Sequence, residues 1–240
     1  MNILRRRIDP VFLIFLALLL FDSIRRYSGP VEWFMSTILI IPGVVIGLSF
    51  HEFAHGWTAY KLGDPTPKFQ GRVTINPKAH IDPLGFIALL FAGFGWGVPV
   101  EINPNNFKKP RRDELLVSLA GVVMNLIIAV IFAFVAKILL AVLGYSFISG
   151  TFGNILWTMV IDIVIINLAL MIFNLIPCPP LDGFSVITEI FNLKTTELYW
   201  RLYQYGNWIL IALIIFGVTS KILSPCLNFL YSLLASYIIY

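Results

Sequence analysis

In the stretch GVVIGLSFHEFAHGWTAY, residues 43–60, two histidines and a glutamate interrupt a run that otherwise reads as a membrane helix. His51 and His55 are four residues apart, and positions i and i+4 of an α-helix share a face, so both imidazoles can point at one metal ion. Glu52 adjoins the first histidine, where its carboxylate can reach a metal-bound water without being a ligand. Zinc lowers the pKa of such a water towards ~7. A neighbouring carboxylate can then take the proton as the water attacks a carbonyl. A charge at the centre of a bilayer costs ~2.5–3.5 kcal/mol on the insertion scale, so polar groups clustered there need a partner. Of the three histidines in the chain, two fall in this pattern.

Catalytic zinc usually has three protein ligands and one open position, so a third ligand is required. The place to look is MIFNLIPCPPLDGF, residues 171–184. A helix running to about Leu175 cannot continue through Pro177, Pro179 and Pro180. The broken chain returns Asp182 towards membrane depth, where irregular backbone is tolerated if it is buried in protein or lines a watery cavity. Gly183 permits the turn. Spacing alone fits Asp182 equally well as a ligand and as an ordinary loop acid. His80 and Asp82 also have metal-compatible spacing, but their setting in PKAHIDPLG reads as a structural histidine bonding a turn.

The elements that must position these groups follow from composition. Of 240 residues, 58% are hydrophobic and 12% charged, with mean hydropathy +0.86. A soluble domain is nearer half apolar and a quarter charged. The expected fold class is an all-α polytopic membrane protein, folded as a single membrane domain over 1–240. A spanning helix needs ~20 largely apolar residues. Spans are predicted at 10–24, 33–61, 115–143, 152–177 and 207–220, with a further candidate at 222–240, giving five to six transmembrane helices. The glycine-rich stretch 84–98 reads as re-entrant or interfacial. Short strands at 71–76 and 96–103 predict a small β-element at the cytoplasmic membrane surface. With the N-terminus cytoplasmic, thirteen Lys and Arg fall on that side and three on the other, as the positive-inside rule requires. That rule also explains the pI of about 9.1 without nucleic acid as a partner. Lys137 and Asp162, at similar depth either side of a turn near 144–152, are expected to form a structural ion pair.

His51-Glu-x-x-His55 in a membrane span, followed by Asn174-x-x-Pro177-x-Pro179-x-Leu181-Asp182-Gly183, resembles the site-2 protease family of intramembrane zinc metalloproteases. GRVTINPKAHIDPLG and KKPRRDELLVSLAGVVMNL are similar to its compact branch, which has no appended regulatory domain. The resemblance covers about 33–205, leaving the 10–24 span before it and the 207–240 spans after it. It implies one Zn2+ per chain held by His51, His55 and Asp182, with Glu52 as the catalytic acid/base. It also implies a substrate or oxyanion contact for Asn174. Relatives usually have Ala-Gly-Pro before an asparagine, whereas this chain has Ala120-Gly121-Val122 and then Asn125, so Asn125 is a weaker candidate for the same job. The implied substrate is a transmembrane segment of another membrane protein, cleaved within the bilayer on its cytoplasmic side. Docking in extended form on the 71–76 or 96–103 strand would expose its peptide bonds. The alternative is a metal-transporting or metal-sensing membrane protein, which would give Glu52 no special task and would spread polar groups along a pathway.

Overall fold

The computed structural model describes Phe21, Ile24, Arg25, residues 27–92 and residues 97–240. The 10–24 span expected from sequence falls almost wholly outside the described residues. The main helices are α1 (Pro30–Leu62), α2 (Pro83–Ala92), α3 (Pro110–Ile148), α4 (Thr151–Asn174), α5 (Asp182–Phe191), α6 (Glu197–Ile215) and α7 (Val218–Leu234). Four stretches among the described residues are long and apolar enough to cross a membrane: α1, α3, α4 and Val218–Ile239. At 10 residues, α2 is ~15 Å long and too short to cross.

The five to six spans predicted are therefore four among the described residues. The 207–220 span does not form as one helix, because Gly217 takes a left-handed conformation (φ 67°) and divides α6 from α7. The turn near 144–152 is present. Gly144 (φ 73°) breaks the helical backbone of α3, and α4 begins at Thr151.

α1, α3 and α4 form the packed centre, with α7 laid against α4. Lipid is as apolar as leucine, so membrane helices associate through close packing of small residues rather than through the hydrophobic effect. The sequence supplies these residues at helical spacing. On α3, Ala129, Ala133 and Ala136 are fully buried against Val160, Val164 and Leu168 of α4. On α1, a Cβ added at Gly43 would lie 2.8 Å from Ile166 Cδ1, and one at Gly47 2.6 Å from Leu170 Cδ1. Glycines four apart thus let α1 approach α4.

The small β-element reduces, among the described residues, to one antiparallel bridge between Ile81 and Gly97. Residues 71–76 do not pair as a strand because their backbone is spent on turns. Gly71 is left-handed (φ 70°), Arg72 N donates to Pro67 O, and the Thr74 carbonyl accepts from His80. The ion pair expected between Lys137 and Asp162 is absent among the described residues. Lys137 lies on an exposed face of α3, whereas Asp162 is in the turn of α4 that abuts Gly43 of α1.

A different ion cluster joins the helices. Lys194, just after α5, donates to Glu114 of α3 and lies 2.7 Å from Glu189 of α5. Arg111 of α3 donates to the Glu189 and Ile190 carbonyls, satisfying the C-terminal end of α5. Burial works against the Lys194 charge, but hydrogen bonds to Glu114 and Glu189 outweigh it and raise its pKa above the ordinary value. A raised lysine pKa stabilises the fold below the ordinary value, and this contribution is lost as pH rises through the raised one. Lys194→Met should cost about 2–3 kcal/mol, because it leaves the buried Glu189 carboxylate unpaired. Thermal unfolding in detergent at pH 7 and at pH 11 checks this, the difference from wild type shrinking at the higher pH.

Candidate metal centre

Along α1, His51 and His55 fall one turn apart on its buried face, 5% and 8% exposed. Their Nε2 atoms are 3.0 Å apart. Asp182 Oδ2 lies 3.2 Å from His51 Nε2 and 3.3 Å from His55 Nε2. The geometry brings together the three residues singled out from sequence as ligands, from helices more than a hundred residues apart.

Hydrogen bonds behind the rings decide their protonation. His55 Nδ1 is 2.7 Å from the Val117 carbonyl, which can only accept, so this nitrogen carries the proton. His51 Nδ1 is 2.6 Å from Asn125 Oδ1. The amide of Asn125 is oriented by its other end, since its Nδ2 donates to Gly47 O at 3.2 Å and to Asn167 Oδ1 at 3.0 Å. Asn167 Nδ2 in turn donates to Ile163 O at 2.8 Å. As neutral imidazoles, both histidines therefore present bare Nε2 lone pairs to each other and to a carboxylate oxygen.

With the rings neutral, three acceptors face one another, and Asp182 Oδ2 is buried without a hydrogen-bond donor. A cation resolves this arrangement. Tetrahedral zinc with bonds of about 2.0–2.1 Å sets its ligand atoms about 3.3 Å apart, close to the separations found. Two imidazoles and a carboxylate are also the donor set of catalytic zinc sites that keep a fourth position open. The residues present fit the ion.

Close backbone approach makes the convergence possible. A Cβ on Gly121 would lie 2.5 Å from both His51 Cε1 and His55 Nε2, so only glycine lets α3 lie against the two rings. After α4 ends at Asn174, the chain folds back so tightly that a Cβ on Gly183 would lie 2.3 Å from the Leu175 carbonyl oxygen. Ile176, Cys178 and Leu181 in this segment are buried beneath Ile209, Leu210 and Leu213 of α6. Gly206 of α6 touches Pro179, leaving no room for a Cβ. Asp182 is thereby delivered as the first residue of α5.

Glu52 is half-buried, and its Oε2 accepts a hydrogen bond of 3.1 Å from Val100 N. The Val100 side chain packs over Gly56 of α1. Two residues earlier, Val98 N donates to His80 O at 2.7 Å. In extended chain, alternate residues face the same edge, so Val98 and Val100 turn one edge inward. The Pro99 carbonyl and the Glu101 N–H, on the other edge, have no hydrogen-bond partner among the described residues.

Asn174 is half-buried at the end of α4, its Nδ2 donating to Leu170 O at 3.0 Å, outside the hydrogen-bond network of the three ligand candidates. Asn125, weighed on sequence as a substrate contact, spends its oxygen on His51 and its nitrogen on Gly47 and Asn167. His80 is fully buried and bonds Thr74 O at 2.7 Å, while Asp82 Oδ1 accepts from Gly85 N at 2.8 Å at the start of α2. Both serve turns. Sequence reasoning missed Asn167 and Val100. An asparagine inside the apolar 152–177 run was the available signal for the first; nothing local marks the second.

Comparison with known proteins gives a consistent picture. The profile of Peptidase family M50 matches residues 39–217. The chain is 39% identical over 185 residues to the Bacillus subtilis (strain 168) protein named "Putative zinc metalloprotease YwhC", covering 77% of this chain and 84% of that one. It is 28% identical over 222 residues to "Putative zinc metalloprotease Rip2" of Mycolicibacterium smegmatis, covering 87% and 81%. It is 26% identical over 215 residues to "Zinc metalloprotease MJ0392" of Methanocaldococcus jannaschii, covering 87% of this chain and 50% of that one. No solved structure matches the chain.

Because Asn125 fixes the ring of His51 without touching the ligand atoms, Asn125→Ala should leave a folded protein whose zinc affinity is weaker by about 10–100-fold. Competition titration against a chromophoric chelator measures this directly.

Proposed function

The chain belongs to Peptidase family M50, the site-2 protease family, and we propose that it is an intramembrane zinc metalloendopeptidase acting on transmembrane segments of other membrane proteins. It is an integral membrane protein. The observation that carries the reading is the meeting of His51, His55 and Asp182 with both tautomers fixed and Glu52 next in sequence to a ligand.

In this reading His51, His55 and Asp182 hold one zinc ion, which supplies a Lewis acid that acidifies water and polarises a carbonyl. Glu52 is the general base, taking a proton from the attacking water and returning it to the leaving amine. Its Oε2 is held in place by the Val100 N–H. Asn125 acts by orienting His51. Asn174, with part of its carboxamide uncommitted, remains the candidate for a contact to substrate or developing oxyanion.

Peptide bonds in a helix have their carbonyls hydrogen-bonded, so a spanning substrate must be unwound before attack. The outward edge at Pro99 and Glu101, two residues or fewer from the backbone group on Glu52, suits an extended substrate strand. With the N-terminus cytoplasmic, the seven residues from His55 to the helix end at Leu62 put the site ~10 Å inside the cytoplasmic surface. Cleavage there would release a cytoplasmic part of the substrate, as regulated intramembrane proteolysis requires. A metal transporter would also place His and Asp at such depth. The polar groups here converge on one point, and Glu52 lies beside it, which favours hydrolysis.

Wild type and Glu52→Gln, purified with zinc in detergent, should be compared on a labelled, loosely folded protein. Release of peptides by wild type, loss of at least 100-fold in Glu52→Gln with zinc retained, and abolition by a chelator are expected. Equal release by both would remove Glu52 from the chemistry. Glu101→Pro, which deletes the outward N–H, should cut turnover about 10-fold with zinc content unchanged. Unchanged turnover would take this edge out of substrate docking.

A further inference from the structure

α1 ends seven residues beyond His55, in a Schellman motif. Gly63 is left-handed (φ 114°), its N–H donates to Tyr60 O, and Asp64 N donates to Ala59 O. This turn drives the side chain of Asp64 inward, where it is completely buried. Its carboxylate meets no cation among the described residues. Instead it accepts four hydrogen bonds. Oδ1 takes Thr66 N at 3.1 Å, Thr66 Oγ1 at 2.6 Å and Asn106 Nδ2 at 2.7 Å, and Oδ2 takes Asn103 N at 2.8 Å. Burial opposes ionisation, but these donors outweigh it and hold the pKa below the ordinary carboxylate value.

Two of the four donors belong to the segment that carries Val100. Asn103 is three residues from Val100, whose N–H is the one on Glu52. Between them, Glu101 Oε2 accepts from Gln70 Nε2 at 2.6 Å, fastening the same segment to the loop after Asp64. Further along, Ile102 and Phe107 pack against Ala59, Leu62 and Val117. The apolar staple holds the segment near α1. The polar clamp adds a fixed register along α1 at this end of the segment, and a slip of that register would carry the Val100 N–H away from Glu52.

We propose that Asp64 is a positioning residue for hydrolysis: it fixes residues 100–106 against α1 so that the Val100 N–H holds Glu52 in its reactive orientation. This rests on the reading of Glu52 as general base. A charged acceptor suits the task, since hydrogen bonds to an ionised group are shorter and about twice as strong as neutral ones. A neutral asparagine in the same place would turn an N–H towards either Asn103 N or the Thr66 and Asn106 donors.

The test is a double-mutant cycle on peptide release by the full-length, zinc-loaded protein in detergent, using Asp64→Asn and Val100→Pro. Proline after Pro99 is compatible with extended chain and deletes the N–H that Glu52 accepts. Each single variant should lose about 10-fold in kcat, with KM within about two-fold and one zinc per chain. Asp64→Asn in the Val100→Pro background should then cost nothing further. A merely structural role predicts the opposite: multiplying losses, or loss of activity in step with zinc content and melting temperature, and either result would overturn the proposal. If Asp64→Asn fails to accumulate, Asn106→Ala keeps the carboxylate, removes one donor, and should show the same non-additivity with a smaller loss. Wild-type protein that binds zinc but shows no Glu52-dependent release would sink the protease reading itself. Active wild type with multiplying losses sinks only the role of Asp64.

Discussion

Two imidazole nitrogens and a carboxylate oxygen meet at 3.0–3.3 Å, and much of the fold follows from holding that encounter together. Mutual repulsion of three acceptors in a poorly solvated site is unfavourable unless a cation lies between them. An ion there would make the encounter favourable, but the protein must bring the atoms to the meeting point. It does so with backbone. Gly121 lets α3 lie on the rings, Gly43 and Gly47 let α4 lie on α1, and Gly183 lets the chain after α4 fold back on itself. A methyl group at any of these places would meet an atom at 2.8 Å or less. Close helix packing here is therefore both what holds the membrane domain together and what builds the site.

Polar groups that serve the site have to be satisfied inside it, because lipid offers no hydrogen bonds. Asn125 and Asn167 solve this as a relay running from His51 through two carboxamides to the Ile163 carbonyl. A side branch to Gly47 O uses a carbonyl of the helix that carries the histidines. Each amide has its oxygen and nitrogen committed, so neither can flip without breaking a partner. The relay thus fixes a ring tautomer and cross-links α1, α3 and α4 at one depth. The same hydrogen bonds cannot be assigned to stability or to function alone.

The sequence makes the two histidines legible as ligand candidates by a local rule, and leaves Asp182 open until the family resemblance is added. His51 and His55 are one helical turn apart, and the prolines around 177–180 forbid a helix that would carry Asp182 away. The turn at Gly144 and the end of α4 are legible for the same reason. The relay is not, because no spacing rule links Asn125 to Asn167 when they lie on different helices. The span expected at 207–220 fails because average hydropathy does not register a left-handed glycine at 217. At 71–76 the β-branched residues suggest a strand, while their neighbours divert the backbone into turns. Lys137 lies on an exposed face of α3 while Asp162 abuts α1, because distance from a turn gives depth along a helix but no direction around it.

The two halves of the site differ in how they are held. The candidate ligands are fixed by helix packing, where any displacement meets fully buried alanines and the side chains around the glycines. Glu52, on the same helix, is oriented from the other side by a backbone N–H in an extended segment that contains no regular secondary structure and has one open edge. A rigid frame suits groups that must keep a fixed geometry around an ion. A segment held by a few hydrogen bonds suits the role proposed for Glu52, which would face both water and incoming substrate. A strand adding to the open edge at Glu101 would stiffen the segment whose Val100 N–H holds Glu52. Docking the substrate and steadying the base would then be one event, because both act through the same few residues of backbone.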